Sequence, residues 1–360
     1  MLVQVMAKIC FIRRSFRFDG GAEVASGSYL KVLKQIADLT LICESWKGGG
    51  VDLPAVLKIK KKGFLRGSKY KNFITQADRA AKCEECITHS HEWLPGADVI
   101  RLGDGLHSEW LDIRGVSPWV RIFDGFHRTK INLEQNTIRH PNLKTVIVNS
   151  EFIGRSLVKR YGLEEEKIHL IRNIVTPSYK LHDPFSKTRD SQKLLFIGSG
   201  WERKGLSKAI MAFALLPKDW SFDVVGSDKA ISRYRKLASE LKCADRINFL
   251  GAFPTTPELY AKATVLIHPA MYEPFPNVAI EALSQGLPVV SSVNSGTSDF
   301  SKAEGVWTVE GDEHSLAESV LSAAKSSSEN RAAFRSHILQ FDEEYLEKEL
   351  KAIYSNIMST

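Results

Sequence analysis

The sequence predicts an α/β protein of two Rossmann-like, doubly wound parallel-sheet domains facing a cleft. Three observations carry this expectation. Short apolar runs alternate with helix-length stretches along the whole chain, the pattern of parallel strands covered by helices. The 360 residues exceed one comfortable hydrophobic core. The segment 172–192, polar and carrying Pro177 and Pro184, interrupts the alternation as a linker would.

Taken in order, the first half shows strand-like apolar runs at residues 7–12, 39–43, 55–59, 98–102, 119–123 and 145–149. The second half shows them at 168–171, 193–197, 222–225, 247–250, 264–268 and 288–292. Helices are expected at 25–36, at 277–285 closed by Gly286 with Pro288 just beyond, and at 344–358. That last helix follows the second sheet and is expected to pack back across the boundary. The expected domains are therefore 1–172 with 344–360, and 173–343.

The run YEPFPNVAIEALSQGLPVVSS at 272–292 is the strongest functional signal. It follows a buried strand and places Glu273 in a loop and Glu281 inside a helix. Eight helical positions span at most roughly 12 Å at about 1.5 Å per residue, comparable to the reach from ribose to hexose across a diphosphate. First-turn amides have no intrahelical partner and favour anions, so Asn277, Val278 and Ala279 are candidate phosphate donors. Pro276 has no N–H to give. Phe275 and Pro276 of the intervening loop are assigned to the same donor site.

A second element, KLLFIGSGWERKG at 193–205, carries a strand into Gly198 and Gly200 and then presents Arg203 and Lys204. A fixed cation neutralises charge on a departing phosphate without a metal. The loop FDGGAEV at 18–24 brings Gly20 and Gly21 before a helix, where backbone can approach an anion closely, with Glu23 beside them. Asp104 and His107 follow the 98–102 run, and Asp124 and His127 repeat the Asp-Gly-hydrophobic-His spacing. These four are the candidates for acceptor hydroxyls, Asp104 foremost. No Asp-x-Asp pair occurs, and Cys83-Glu-Glu-Cys86 stands alone, so no metal and no cofactor are expected.

The net charge of +7 is uneven: residues 1–150 hold 23 Lys+Arg against 15 Asp+Glu, whereas 151–360 hold 26 against 27. The densest stretch, 57–73, interleaves seven cations with Phe64, Leu65, Tyr70 and Phe73. That mix suits an anionic membrane surface or glycolipid. Signatures of nucleic-acid modules are missing, and no nucleic-acid partner is expected. Without a run of about 20 apolar residues or a signal peptide the chain is expected in the cytoplasm. Five cysteines in no scaffold spacing fit a reducing compartment.

With Gly20-Gly21, the 94–104 segment, Ile197-Gly-Ser, Arg203-Lys-Gly205, His268-Pro-Ala270 and the 273–288 motif in order, the chain resembles retaining glycosyltransferases of family 4. These have the GT-B fold. More narrowly, it resembles bacterial lipopolysaccharide-core glycosyltransferases. The resemblance implies that Glu273 binds donor-sugar hydroxyls and Glu281 the ribose. It implies Arg203 and Lys204 as diphosphate ligands, with Gly20 and Gly21 lining the sugar-phosphate pocket. It further implies a nucleotide-sugar donor, commonly of uridine, an anionic glycolipid acceptor, and peripheral contact with the cytoplasmic face of the inner membrane. Pro274 and Pro276 depart from the family loop, where glycines are frequent. Two other readings stand beside this one: a nucleotide-sugar epimerase of similar fold, and a basic membrane-surface binding protein without catalysis.

Overall fold

Strand β1 (Lys8–Ile12) buries four of its five residues, as a parallel strand covered on both faces must. The computed structural model describes residues 7–16, 21–46, 54–185 and 192–359. These fall into unit 1, Met1–Arg172 with Glu343–Thr360, and unit 2, Asn173–Asp342.

Unit 1 runs β1, β2 (Ser15–Phe16), α1 (Gly21–Ile36), β3 (Asp38–Cys43), β4 (Ser45–Trp46), β5 (Ala55–Lys58), α2 (Arg66–Glu84), β6 (Ile87–Ser90) and β7 (Val99–Leu102). It continues through α3 (His107–Ile113), α4 (Pro118–Phe123), α5 (Gly125–Ile138), β8 (Thr145–Val148), α6 (Glu151–Tyr161) and β9 (Ile168–Leu170). Seven strands form one parallel sheet in the order β5-β3-β1-β6-β7-β8-β9, and β2 pairs with β4 separately. The chain winds outward from β1 on one side, then returns to β6 and winds outward on the other. The β1/β6 seam is therefore the topological switch point, where α/β folds open a ligand crevice beyond the strand C-termini.

Unit 2 runs α7 (Pro177–Leu181), β10 (Lys193–Ile197), α8 (Leu206–Ala214), β11 (Ser221–Val225), α9 (Ile231–Glu240), β12 (Ile247–Gly251), α10 (Pro257–Ala261) and β13 (Val265–His268). It ends with α11 (Asn277–Ser284), β14 (Val289–Ser292), β15 (Val306–Val309) and α12 (Glu313–Ile338). Its six parallel strands lie in the order β12-β11-β10-β13-β14-β15. Here the switch point is β10/β13. The core between sheet and helices includes Phe196, Trp201, Phe213, Phe222, Tyr260 and Phe334.

The last helix, α13 (Glu343–Ser359), belongs to unit 1. It buries Leu346, Leu350, Ile353, Tyr354 and Ile357, a stripe at helical spacing. The Tyr354 hydroxyl meets His89 Nδ1 at 2.6 Å, and Lys31 pairs with Glu343 at 2.6 Å.

Several expectations are corrected. Residues 119–123 are helix α4, not a strand: Ser117 caps Val120 N–H and Pro118 opens the first turn. Strand β6 was missed because Ile-Thr-His-Ser is not an apolar run, and β15 was missed as well. The 172–192 break is not an open linker throughout, since it contains α7 with Tyr179 buried. In the basic stretch, Tyr70 and Phe73 are buried on α2, leaving Phe64 and Leu65 exposed. Cys10 and Cys86 form a disulfide, with Cα atoms 5.8 Å apart, against the reading of cysteines suited to a reducing compartment. Among the described residues no helix is long and apolar enough to cross a membrane.

Burial, and then Arg101, push the His89 imidazole down to about 3, and His91 beside it is lowered for the same reasons. In unit 2, burial and then Lys204 bring His268 to about 3. These rings stay neutral in the folded chain but protonate near pH 6.5 when unfolded. For His89 and His268 this contribution to stability is complete above about pH 6.5 and is lost as pH falls toward 3, at up to about 1.4 kcal/mol per pH unit for each ring, and His91 acts in the same direction. Thermal unfolding at pH 7, 6 and 5 should show falling stability. His89→Gln should lose less between pH 7 and 5 than wild type; an equal loss would remove His89 from the account.

Candidate functional site

The switch point of unit 2 gathers the cation pair and Glu273, whereas that of unit 1 receives, of the sequence-selected side chains, Asp104. In unit 2 the loops leaving β10 and β13 are drawn together by backbone contact. Gly205 has φ +77°, and a Cβ there would stand 2.0 Å from the Pro269 carbonyl oxygen. Met271 N–H donates to the Arg203 carbonyl at 2.8 Å. Only glycine permits this approach.

Arg203 and Lys204 are thereby set against Glu273. Arg203 Nη1 lies 2.7 Å from Glu273 Oε2 and 3.0 Å from the Tyr272 carbonyl. Lys204 Nζ lies 3.7 Å, and His268 Nε2 3.9 Å, from the same carboxylate oxygen. Burial raises the Glu273 pKa, but Lys204 and Arg203 outweigh it and hold the carboxyl below its usual range. Burial lowers the Lys204 pKa, partly opposed by Glu273. With His268 neutral, the cluster carries two positive charges and one negative.

Gly198 is part of the same construction. Its φ is +140°, and a Cβ would fall 2.6 Å from Lys204 Cδ, because the lysine stem lies across its Cα. A Cβ on Gly226 would meet the Gly198 carbonyl at 2.1 Å, and Trp201 Nε1 donates to that carbonyl at 2.8 Å.

Glu281 lies on α11, half-buried, with Oε2 accepting from the Tyr260 hydroxyl and from Thr255 Oγ1 at 3.4 Å. Burial raises its pKa, partly offset by those hydroxyls and that of Tyr179. The two glutamates therefore sit in opposite environments. Of the three first-turn amides, Ala279 N–H is engaged by the Pro276 carbonyl at 3.0 Å. Asn277 Oδ1 accepts from Asn173 at 2.5 Å. Phe275 is 5% exposed and packs edge-on against Phe300, so its ring belongs to the core. Pro276 is the buried N-cap of α11, and Val278 is half-buried.

In unit 1, Asp104 pairs loosely with Arg13 at 3.7 Å and keeps 71% of its side chain exposed. His107 Nε2 and His127 Nδ1 meet at 3.1 Å. Burial, then Lys130, holds His107 at about 4. Asp124 caps α5, accepting from Phe126 N–H at 2.8 Å and His127 N–H at 3.0 Å. Gly21 opens α1, Gly20 lies outside the described residues, and so does the Glu23 side chain. Among the described residues no group of three or more His, Cys, Asp or Glu could hold a metal ion.

Sequence reasoning did not assign site roles to His268, Gly205, Tyr260, Tyr179 or Thr255. His268 and Gly205 follow from the switch-point rule once the strand order is known. The hydroxyls around Glu281 leave no spacing signal.

Two parallel-sheet α/β units of this topology define the GT-B fold of glycosyltransferases. Residues 180–338 match the family model described as Glycosyl transferases group 1. The chain carries a group 1 glycosyltransferase domain and is a glycosyltransferase. It is 28% identical, over 312 residues, to lipopolysaccharide glucosyltransferase WaaG of Escherichia coli K12, covering 80% of this chain and 78% of the relative. The crystal structure of WaaG, a glycosyltransferase involved in lipopolysaccharide biosynthesis, has the same fold at a TM-score of 0.78 and 21% identity, covering 96% of this chain and 98% of that one. Anabaena Alr3699/HepE in complex with UDP and glucose matches at 0.70 and 19%, over 97% and 100% of the two chains.

Gly198→Ala should displace Lys204 and cut transferase turnover at least tenfold while the chain remains folded. Steady-state kinetics with circular dichroism would test this, and wild-type turnover would refute the packing argument.

Proposed function

We propose that the chain is a retaining glycosyltransferase that moves a hexose from a nucleoside diphosphate sugar, a UDP-sugar, to a glycolipid acceptor in lipopolysaccharide core assembly. The observation that carries this reading is the Glu273–Arg203–Lys204 cluster at the β10/β13 switch point. The kinship with WaaG supports the acceptor class, and the UDP complex of HepE supports the donor base.

Unit 2 is the donor side in this reading. Donor-sugar hydroxyls donate to Glu273 while the diphosphate meets the other side of Arg203 and Lys204, so each cation lies between two anions. Glu281 takes the ribose hydroxyls; a carboxylate offers about four lone-pair directions, which Tyr260, Thr255 and Tyr179 do not exhaust. The bond from the anomeric carbon to the diphosphate oxygen breaks, with its electron pair passing to the diphosphate. The acceptor oxygen bonds to the anomeric carbon on the same face, and its proton passes to that phosphate oxygen. Nucleoside diphosphate and glycoside are the products. Arg203 and Lys204 stabilise the developing charge, and no metal takes part. Unit 1 is the acceptor side, with Asp104, His107 and His127 facing the acceptor; Asp124, as the α5 cap, acts through His127.

Lys204→Ala should lower turnover at least a hundredfold with a small change in melting temperature, and excess chelator should leave wild-type activity intact. Wild-type turnover in the variant, or a strict divalent requirement, would overturn the role assigned to the cations. Nucleoside diphosphate released without acceptor, alongside an altered sugar, would favour an epimerase.

Peripheral membrane contact has its own support in unit 1. Phe64 and Leu65, before α2, are 92% and 70% exposed, and Trp119 and Phe123 on α4 are 70% and 76% exposed. These segments adjoin: a Cβ on Gly67 would lie 2.7 Å from the Gly125 carbonyl. Exposed Lys58, Lys60, Lys61 and Lys62 lie just upstream, each worth about 1 kcal/mol near an anionic bilayer. The chain should sediment with phosphatidylglycerol vesicles and not with phosphatidylcholine alone. Trp119→Ser with Phe64→Ser should release it; equal binding of wild type and variant would exclude this surface.

A further inference from the structure

The switch point of unit 1 opens into a cavity of about 340 Å³. This is the size of a small-molecule site and lies where the topology places one. Arg13 and Arg14 follow β1, Glu92 follows β6 and Asp104 follows β7, while Arg66, Lys69 and Lys130 reach in from α2 and α5. The wall thus carries five cations against two carboxylates.

Arg13 pairs with Glu92 at 3.8 Å and Asp104 at 3.7 Å, and Arg14 with Glu44 at 2.9 Å, but Arg66 and Lys130 are not spent on ion pairs. Arg66 lies over the Phe126 ring, 4.5 Å from its centroid, and Lys130 over the Tyr70 ring at 3.9 Å. Among the described residues neither has a carboxylate within 4.0 Å. An aromatic face fixes a cation in place without neutralising it. Burial lowers the Lys130 pKa even though Glu92 and Asp104 oppose this, and Arg13 and Arg14 add to the lowering. Such a cluster is poised for an anion with several acceptor oxygens.

The carboxylates specify what the anion is attached to. Glu92 is fixed by the Tyr70 hydroxyl at 3.0 Å and Arg14 N–H at 3.1 Å, and Asp104 is largely exposed beside Arg13. Both are acceptor-only groups and would repel a phosphate, but they match hydroxyl donors. An inorganic ion would leave most of the volume empty. Three phosphate oxygens answer Arg13, Arg66 and Lys130, whereas one carboxylate would occupy a single guanidinium fork.

We propose that this cavity binds a sugar phosphate, with the phosphomonoester on Arg13, Arg66 and Lys130 and ring hydroxyls on Asp104 and Glu92. The proposal rests on unit 1 being the acceptor side, and it specifies the acceptor as a glycan bearing a phosphate on or beside the sugar that is extended.

The test titrates the full chain calorimetrically with glucose 6-phosphate, glucose, inorganic phosphate and glucuronate, and separately with UDP. Glucose 6-phosphate should bind at least tenfold tighter than the other three small ligands. Arg66→Gln and Lys130→Gln should each weaken it at least fivefold at unchanged melting temperature, with UDP affinity as in wild type. Equal affinity for inorganic phosphate would remove the sugar from the proposal, and equal affinity for glucuronate would remove the phosphate. No binding of glucose 6-phosphate, unchanged binding in both variants, or a matching loss of UDP affinity would overturn it. A wild-type chain that takes glucose 6-phosphate but not UDP would strike the donor reading of unit 2 and leave this cavity standing.

Discussion

One buried carboxylate organises unit 2. Glu273 side-chain exposure is only 14%, and an ionised carboxylate so placed is costly unless paired. Arg203 and Lys204 supply the pairing from a loop some 70 residues away in sequence. They reach it because Gly205 allows the loop to touch the Pro269 carbonyl and Gly198 leaves room for the lysine stem. His268, fully buried and neutral, adds no third positive charge. The two glycines, the cation pair and the carboxylate thus form one interdependent arrangement.

What the sequence displayed and what it hid divide along physical lines. Strands β10 and β13 were legible because a parallel strand buried on both faces is an apolar run, and glycines and prolines punctuate the loops that follow. Strand β6 was not, because its buried positions are Thr88, His89 and Ser90, polar groups whose hydrogen-bond partners, such as Asp98 and Tyr354, lie outside the strand. Helix α4 misled in the opposite sense: its apolar residues face outward, so an apolar run there signals surface rather than core. Tyr179 and Tyr260 converge on Glu281 from separate segments, and no local spacing encodes such a meeting. Lys130 sits mid-helix, where only the fold reveals that its ammonium lies over Tyr70.

The two switch points place cations by different means. In unit 2 they are held by a carboxylate, which fixes their positions and leaves one net positive charge. In unit 1 three of the five, Arg14, Arg66 and Lys130, lie over aromatic faces, and against Glu92, Asp104 and the Glu44 that pairs with Arg14 the excess is two. A carboxylate-held pair suits a ligand whose own hydroxyls can share that carboxylate, as a sugar diphosphate does. A cation held by a ring, as Arg66 and Lys130 are, is not neutralised by its partner, which suits a more concentrated anion.

The divergence of Glu273 and Glu281 also bears on the chemistry. Two carboxyls whose environments push their pKa values apart often act as an acid and a base, and Glu281 is the one raised. Its surroundings argue against that role. Tyr260 and Thr255 both donate to Oε2, and Tyr260 is itself held far from ionising by burial and by Glu281. Such hydroxyl donors favour the ionised carboxylate, and protonating Glu281 would set a donor against donors. Glu273, paired with two cations, is further still from holding a proton. Neither glutamate is placed to shuttle one, which supports the proposed reading in which the acceptor proton passes to the departing phosphate and Arg203 and Lys204 face the charge that develops there.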